Sequence, residues 1–139
     1  SSAGRWEINI AKHHIPAIFY NLKRKPEVIA RLTSQIDLMP TLFGYLNWSY
    51  LTELYGKDIR QTKEGDERAF IGNYRTLGML KNDIFTQIDD RKRTVQFDVN
   101  PGDKSMAESK KKNDELRMET IAFYQTASER FSKGKMKEK

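Results

Sequence analysis

Cysteine is absent from the 139 residues, which excludes disulfides and thiolate metal sites. Histidine occurs twice, as the neighbours His13 and His14, so imidazole chemistry has little to draw on. No stretch approaches the roughly eighteen consecutive apolar residues of a membrane-spanning helix, and no apolar N-terminal secretion signal is visible. The eight glycines are scattered and form no phosphate cradle. No H-E-x-x-H, P-loop, G-x-S-x-G or dinucleotide fingerprint occurs. What is present is aromatic and charged. Aromatic residues make up 11% and charged residues 32%, polar for a globular chain but with enough large side chains for a modest core. The length suits one domain or a part of one.

The net charge is +6. From Lys104 onward ten Lys or Arg face six Asp or Glu, so most of the excess belongs to the C-terminal quarter. Lys110, Lys111 and Lys112 and the lysines after Phe131 read as solvated ends flanking a helix. Base-stacking aromatics are not interleaved with them, so no nucleic-acid partner is expected.

Trp6 to Ile10 alternates apolar and polar residues, as a short strand or an extended lead-in does. Ile15 to Tyr20 is a continuous apolar run with β-branched and aromatic members. It predicts a strand buried on both faces, as inside a parallel sheet, with Pro16 tolerable near its start. Pro40 fits only the first turn of a helix, which sets the start near Asp37. The Asp37 carboxylate can accept an unpaired amide there and favours the positive end of the dipole. Leu38, Leu42, Tyr45 and Leu46 form one apolar stripe, and Asn47 suits the left-handed residue that ends a helix. Strand-like runs follow at 69–74, 77–81, 84–88 and 94–99. The last two flank the charged loop Asp89 to Arg93 as a hairpin, so an antiparallel sheet of about four strands is expected. Ser105 to Glu108 has the capping-box pattern. Leu116, Thr120, Phe123, Tyr124, Ala127 and Phe131 share one face of a helix that docks on the sheet.

Individually, the candidate site residues have bland readings. His14 is a structural histidine or a site residue at the edge of a parallel sheet, where α/β ligands bind. Asp37 reads as a helix cap, Asp58 as a turn carboxylate, and Asn73 as the support of a bend. The residues alone describe an α/β piece with an antiparallel extension and name no reaction.

Taken in order, His14-Ile15-Pro16, Ser34 to Leu42, Tyr55-Gly56-Lys57-Asp58 and Ile71-Gly72-Asn73-Tyr74 resemble the C-terminal part of the sulfatase-like branch of the alkaline phosphatase superfamily. The likeness is nearest to Gram-negative membrane-anchored phosphoglycerol transferases of the lipoteichoic acid synthase type, and it spans roughly residues 2–131. It implies residues 1–60 as the end of the α/β core, with one core strand and one helix. Residues 61–139 would be an antiparallel subdomain with a C-terminal helix and a basic tail. It also implies a periplasmic catalytic domain carried by an inner-membrane parent, a threonine nucleophile beside manganese, magnesium or zinc, and a phosphatidylglycerol-like lipid phosphodiester as substrate. On that reading no catalytic residue and no complete metal site fall within the chain. Of the family's site residues His14 alone has a match, at a position that faces the substrate phosphate or an additional metal, and His13 receives no role. This piece is expected to be soluble and inactive alone, to bind no metal tightly, and to need the rest of the parent domain. Its unpaired strand at 15–20 would fray or pair at an open edge, including as a dimer. Two other classes stand beside this: a basic module for nucleic acid or anionic membrane, and an interaction domain whose C-terminal helix docks a partner.

Overall fold

A computed structural model describes residues 8–20, 22–52 and 54–136. Five strands form one antiparallel meander in the order β1-β2-β3-β4-β5. They are β1 Ala69–Gly72, β2 Thr76–Lys81, β3 Ile84–Asp89, β4 Thr94–Val99 and β5 Met106–Glu108. The β2–β3 connection is a two-residue turn, Asn82 and Asp83, both left-handed at φ 51 and 57. Such turns match the right-handed twist of the strands, and Asn and Asp accept that conformation best after glycine.

The pleat separates two faces. On one, Ala69, Leu80, Phe85, Phe97 and Val99 bury themselves with Ile8 and Ile10 from the start of the described chain. On the other, the laterally paired Phe70, Met79, Thr86 and Gln96 lie beneath helix α2, Asp114–Ser132. Gln96 fixes the start of that helix. Its amide nitrogen donates to Thr86 Oγ1 (3.0 Å) and the Asn113 carbonyl (2.8 Å), and its oxygen accepts the Asn113 N–H (2.7 Å). Asn113 in turn caps the helix by accepting the Leu116 amide. Further along, Tyr124 donates to the Gly78 carbonyl at 2.7 Å and Phe123 meets Phe70 edge-on. From β4 at Asn113 to β1 at Phe123 the helix therefore runs across the strands.

Helix α1, Leu38–Tyr45, follows a 3₁₀ turn at Gln35–Asp37 and ends at Asn47, left-handed at φ 55. The start near Asp37 and the terminating role of Asn47 agree with the sequence reading, as does the mixed architecture of antiparallel sheet and C-terminal helix. Several expectations differ. The sheet has five strands rather than about four, because Ser105 to Glu108 does not open a helix. Met106–Glu108 instead pairs with β4, where a ladder of backbone bonds outweighs a cap with three lysines behind it. The stripe on α1 is not its most buried face: Leu38, Leu42 and Tyr45 are half-buried, whereas Pro40 and Thr41 are buried. Phe131 stays 77% exposed, because the helix has run past β1 by then.

The largest difference concerns Ile15–Tyr20. The segment belongs to no strand of the described residues, and Ile15, Ile18 and Tyr20 are 76%, 85% and 92% exposed. The five antiparallel strands satisfy one another and offer it no inner position. Phe19 meets the ring of Tyr45 on α1 edge-on at 6.1 Å. In the 6–10 run, Ile8 and Ile10 are buried but Ile10–His13 is a 3₁₀ turn rather than a strand; Trp6 and Glu7 lie outside the described residues.

Candidate functional site

The most organised polar cluster joins α1 to the edge of the sheet. Asp37 and Arg68 are buried together, each side chain 3% exposed, with Nη1 to Oδ2 at 3.1 Å. Asp37 also accepts the Ser34 amide at 3.0 Å, which forms half of a capping box, and the Lys57 amide at 2.8 Å. Arg68 donates its other terminal nitrogen to the Tyr55 carbonyl at 2.7 Å, and its guanidinium lies over the rings of Phe70 and Phe123. Thr41, wholly buried, donates to the Asp37 carbonyl and accepts the Ile59 amide. Ser34 Oγ accepts the Phe70 amide at 3.2 Å. One carboxylate thus ties together the helix start, the 55–59 turn and β1. Its lone pairs are committed to fixed donors, and a cation could enter only by displacing Arg68. The cluster is a structural tie.

Asp58 is occupied as well. Arg60 grips it in a fork, Nε to Oδ1 at 3.0 Å and Nη2 to Oδ2 at 2.6 Å, and holds its carboxyl below the usual carboxylate range. The Arg60 guanidinium also lies 4.3 Å from the Tyr45 ring. Asn73 supports its bend as its position predicts, accepting the amides of Arg75 and Thr76. His13 bonds the Asn9 carbonyl through Nδ1 at 2.8 Å. His14 is exposed, at the extended exit of the same 3₁₀ turn. The structure does not bring His14 together with Asp37 or Asp58 in one site. Among the described residues no three His, Asp or Glu side chains gather closely enough to hold a metal ion, so a divalent cation has no cage here. An open depression of about 300 Å³, lined by Lys57, Asp58, Gln61, Thr62, Lys63 and Asp66, mixes both charges and encloses nothing.

Arg68 and Gln96 organise these connections, and neither stands out in the sequence. Arg68 closes a charged stretch, Glu64-Gly65-Asp66-Glu67, that reads as loop. The one available signal is its place directly before a buried strand.

No protein-family model and no curated protein matches the sequence. Among solved structures, the chain superimposes on one from Vibrio parahaemolyticus described as a protein in the alkaline phosphatase superfamily. The TM-score is 0.72 at 19% identity, over 78% of this chain and 27% of that one. The likeness is one of fold, shared with part of that structure. The chain spans about a quarter of the length of that structure. No helix among the described residues is long and apolar enough to cross a membrane.

Proposed function

We propose that this chain is one part of a metal-dependent phosphoglycerol transferase or sulfatase-like hydrolase that acts on lipid phosphodiesters at the periplasmic face of an inner membrane. The observation that carries the reading is the fold likeness, which takes in most of this chain but about a quarter of its match. The exposed apolar run at 15–20 supports it. Ile15, Ile18 and Tyr20 are exposed within a continuous apolar run of the kind carried by a strand that flanking strands and packing cover on both faces. Residues 1–60 would complete an α/β core, and residues 61–139 would form the antiparallel subdomain beside it. His14 would face the substrate phosphate. The nucleophile and the cage for manganese, magnesium or zinc would come from outside the described residues, because the side chains present do not supply one.

The test uses the longer polypeptide and this chain side by side. With manganese, the longer polypeptide is expected to cleave a phosphodiester faster than a sulfate ester, and His14→Ala to slow it. The 139-residue chain is expected to do neither and to bind no manganese stoichiometrically. Micromolar, stoichiometric manganese binding together with phosphodiester turnover by this chain alone would refute the proposal.

A further inference from the structure

Ile8 and Ile10 are, among the described residues, the two members of the buried apolar cluster that come from outside the five strands. They are 3% and 5% exposed, in one cluster with Leu80, Phe85, Phe97 and Val99. Asn9 between them is extended and exposed, as burial of alternate residues on one side requires. Gln87 stands on the same face of β3 as Phe85 and is itself buried. A buried side-chain amide needs a polar partner, and its Oε1 accepts the Ile8 amide in a long bond of 3.5 Å. The sheet therefore grips the chain by two side chains and one amide just before the histidines.

The chain turns at once. At the 3₁₀ turn Ile10–His13 the Asn9 carbonyl accepts twice, from the Lys12 amide at 3.2 Å and from His13 Nδ1 at 2.8 Å. A carbonyl only accepts, so Nδ1 carries a proton, and neutral His13 is the Nδ1–H tautomer. The imidazolium form donates through Nδ1 as well, so protonation leaves this lock in place. His14 is the next residue. A 3₁₀ turn rises about 2 Å per residue, so the His14 Cα lies within about 10 Å of that of the buried Ile10.

We propose that the sheet is the anchor of His14: Ile8, Ile10, Gln87 and His13 are positioning residues that fix the turn from which His14 is presented. This rests on the reading of His14 as a residue that faces the substrate phosphate, and it gives the antiparallel sheet a part in the chemistry.

The test is a mutant cycle in the longer polypeptide, with manganese and a phosphodiester. Ile10→Ala opens a cavity against the sheet and lets the turn shift. It should lower kcat/KM at least about tenfold, since a displacement near 1 Å can cost about a hundredfold. In a His14→Ala background the same change should cost less than about twofold, because no side chain is left to misplace. The milder Ile10→Val should lose about threefold in the same pattern, so the cycle stands even where Ile10→Ala does not fold. Leu116→Ala truncates a buried residue of α2, on the other face of the sheet, and should cost less than about threefold. His13→Phe removes the donor and should cost about fivefold, the worth of one neutral hydrogen bond. His13→Asn, whose side-chain nitrogen can donate in the place of Nδ1, should recover most of that. Circular dichroism confirms that each variant is folded. In the unaltered 139-residue chain, imidazole nitrogen shifts above about pH 8 should show neutral His13 protonated at Nδ1, a readout that needs no turnover. Equal losses from the Ile10 variants in both backgrounds overturn the proposal and leave the role of His14 standing. So does an Leu116→Ala loss as large as that of Ile10→Ala, or a neutral His13 protonated at Nε2. Unchanged turnover in His14→Ala alone removes the reading beneath the proposal, and the proposal with it.

Discussion

Replacing Arg68 with methionine should be among the most damaging single changes in the chain. The substitution keeps an apolar stem against Phe70 and Phe123 but removes the guanidinium, and with it the bonds to Asp37 and to the Tyr55 carbonyl. Asp37, 3% exposed, then keeps two amide donors and loses its countercharge. Removing one partner of a buried pair costs about 3–5 kcal/mol, because the other charge stays desolvated. Domains of this size are stable by about 5–15 kcal/mol, so a large share is at stake. In urea unfolding followed by circular dichroism, the midpoint should fall by roughly 2 M. The double variant Arg68→Met, Asp37→Asn is the sharper test. An asparagine oxygen still accepts an amide while the stranded charge is gone, so the pair should lose at least about 1 kcal/mol less than the sum of the single losses. A loss below about 1 kcal/mol for Arg68→Met, or strict additivity in the double variant, would refute the account of this cluster.

Three further outcomes follow from the packing. Burial pushes the Tyr124 phenol up to about 12, so the folded chain holds it protonated after the unfolded chain has begun to ionise. Its contribution is fully present below pH of about 10 and is lost as pH rises toward 12, on the order of 2 kcal/mol in total; Tyr124→Phe should flatten that alkaline decline in pH-dependent urea unfolding. Asp58 has its pKa lowered by Arg60, so its contribution is present above about pH 4 and is lost as pH falls through the lowered value. The stability gap between the native chain and Asp58→Asn should therefore close on acidification. Gly78→Ala would drive a methyl into the ring of Phe85, which is wholly buried and cannot yield. A loss of about 1–3 kcal/mol is expected by thermal or urea unfolding.

The parts of the fold readable in the sequence are those set by local chemistry. The hairpin around Asp89 to Arg93 announces itself through two β-rich runs on either side of a charged loop. Asn47 is one of the few residue types that accept a left-handed backbone, so it marks the end of α1. Asp37 and Pro40 together fix where that helix starts. The parts that were not readable depend on distant partners. Ser105 to Glu108 carries a capping pattern, yet β4 lies close enough to recruit Met106–Glu108 as a strand. The face of α2 is correct at Leu116 and Thr120, both buried, but periodicity does not reveal that the sheet ends before Phe131. Of the candidate site, His14 is legible as a residue but not as a geometry, because nothing within the described chain closes around it. The importance of Arg68 rests on a contact with Asp37 thirty-one residues away, which no local pattern encodes.

The 15–20 segment gives the most direct test of whether this chain completes a larger catalytic domain. Amide hydrogen exchange can be followed there in the 139-residue chain and in the longer polypeptide. The account predicts fast exchange at Ile15, Ala17, Ile18, Phe19 and Tyr20 in the isolated chain, and strong protection in the longer one as neighbouring strands take up those amides. Equally fast exchange in both would contradict it.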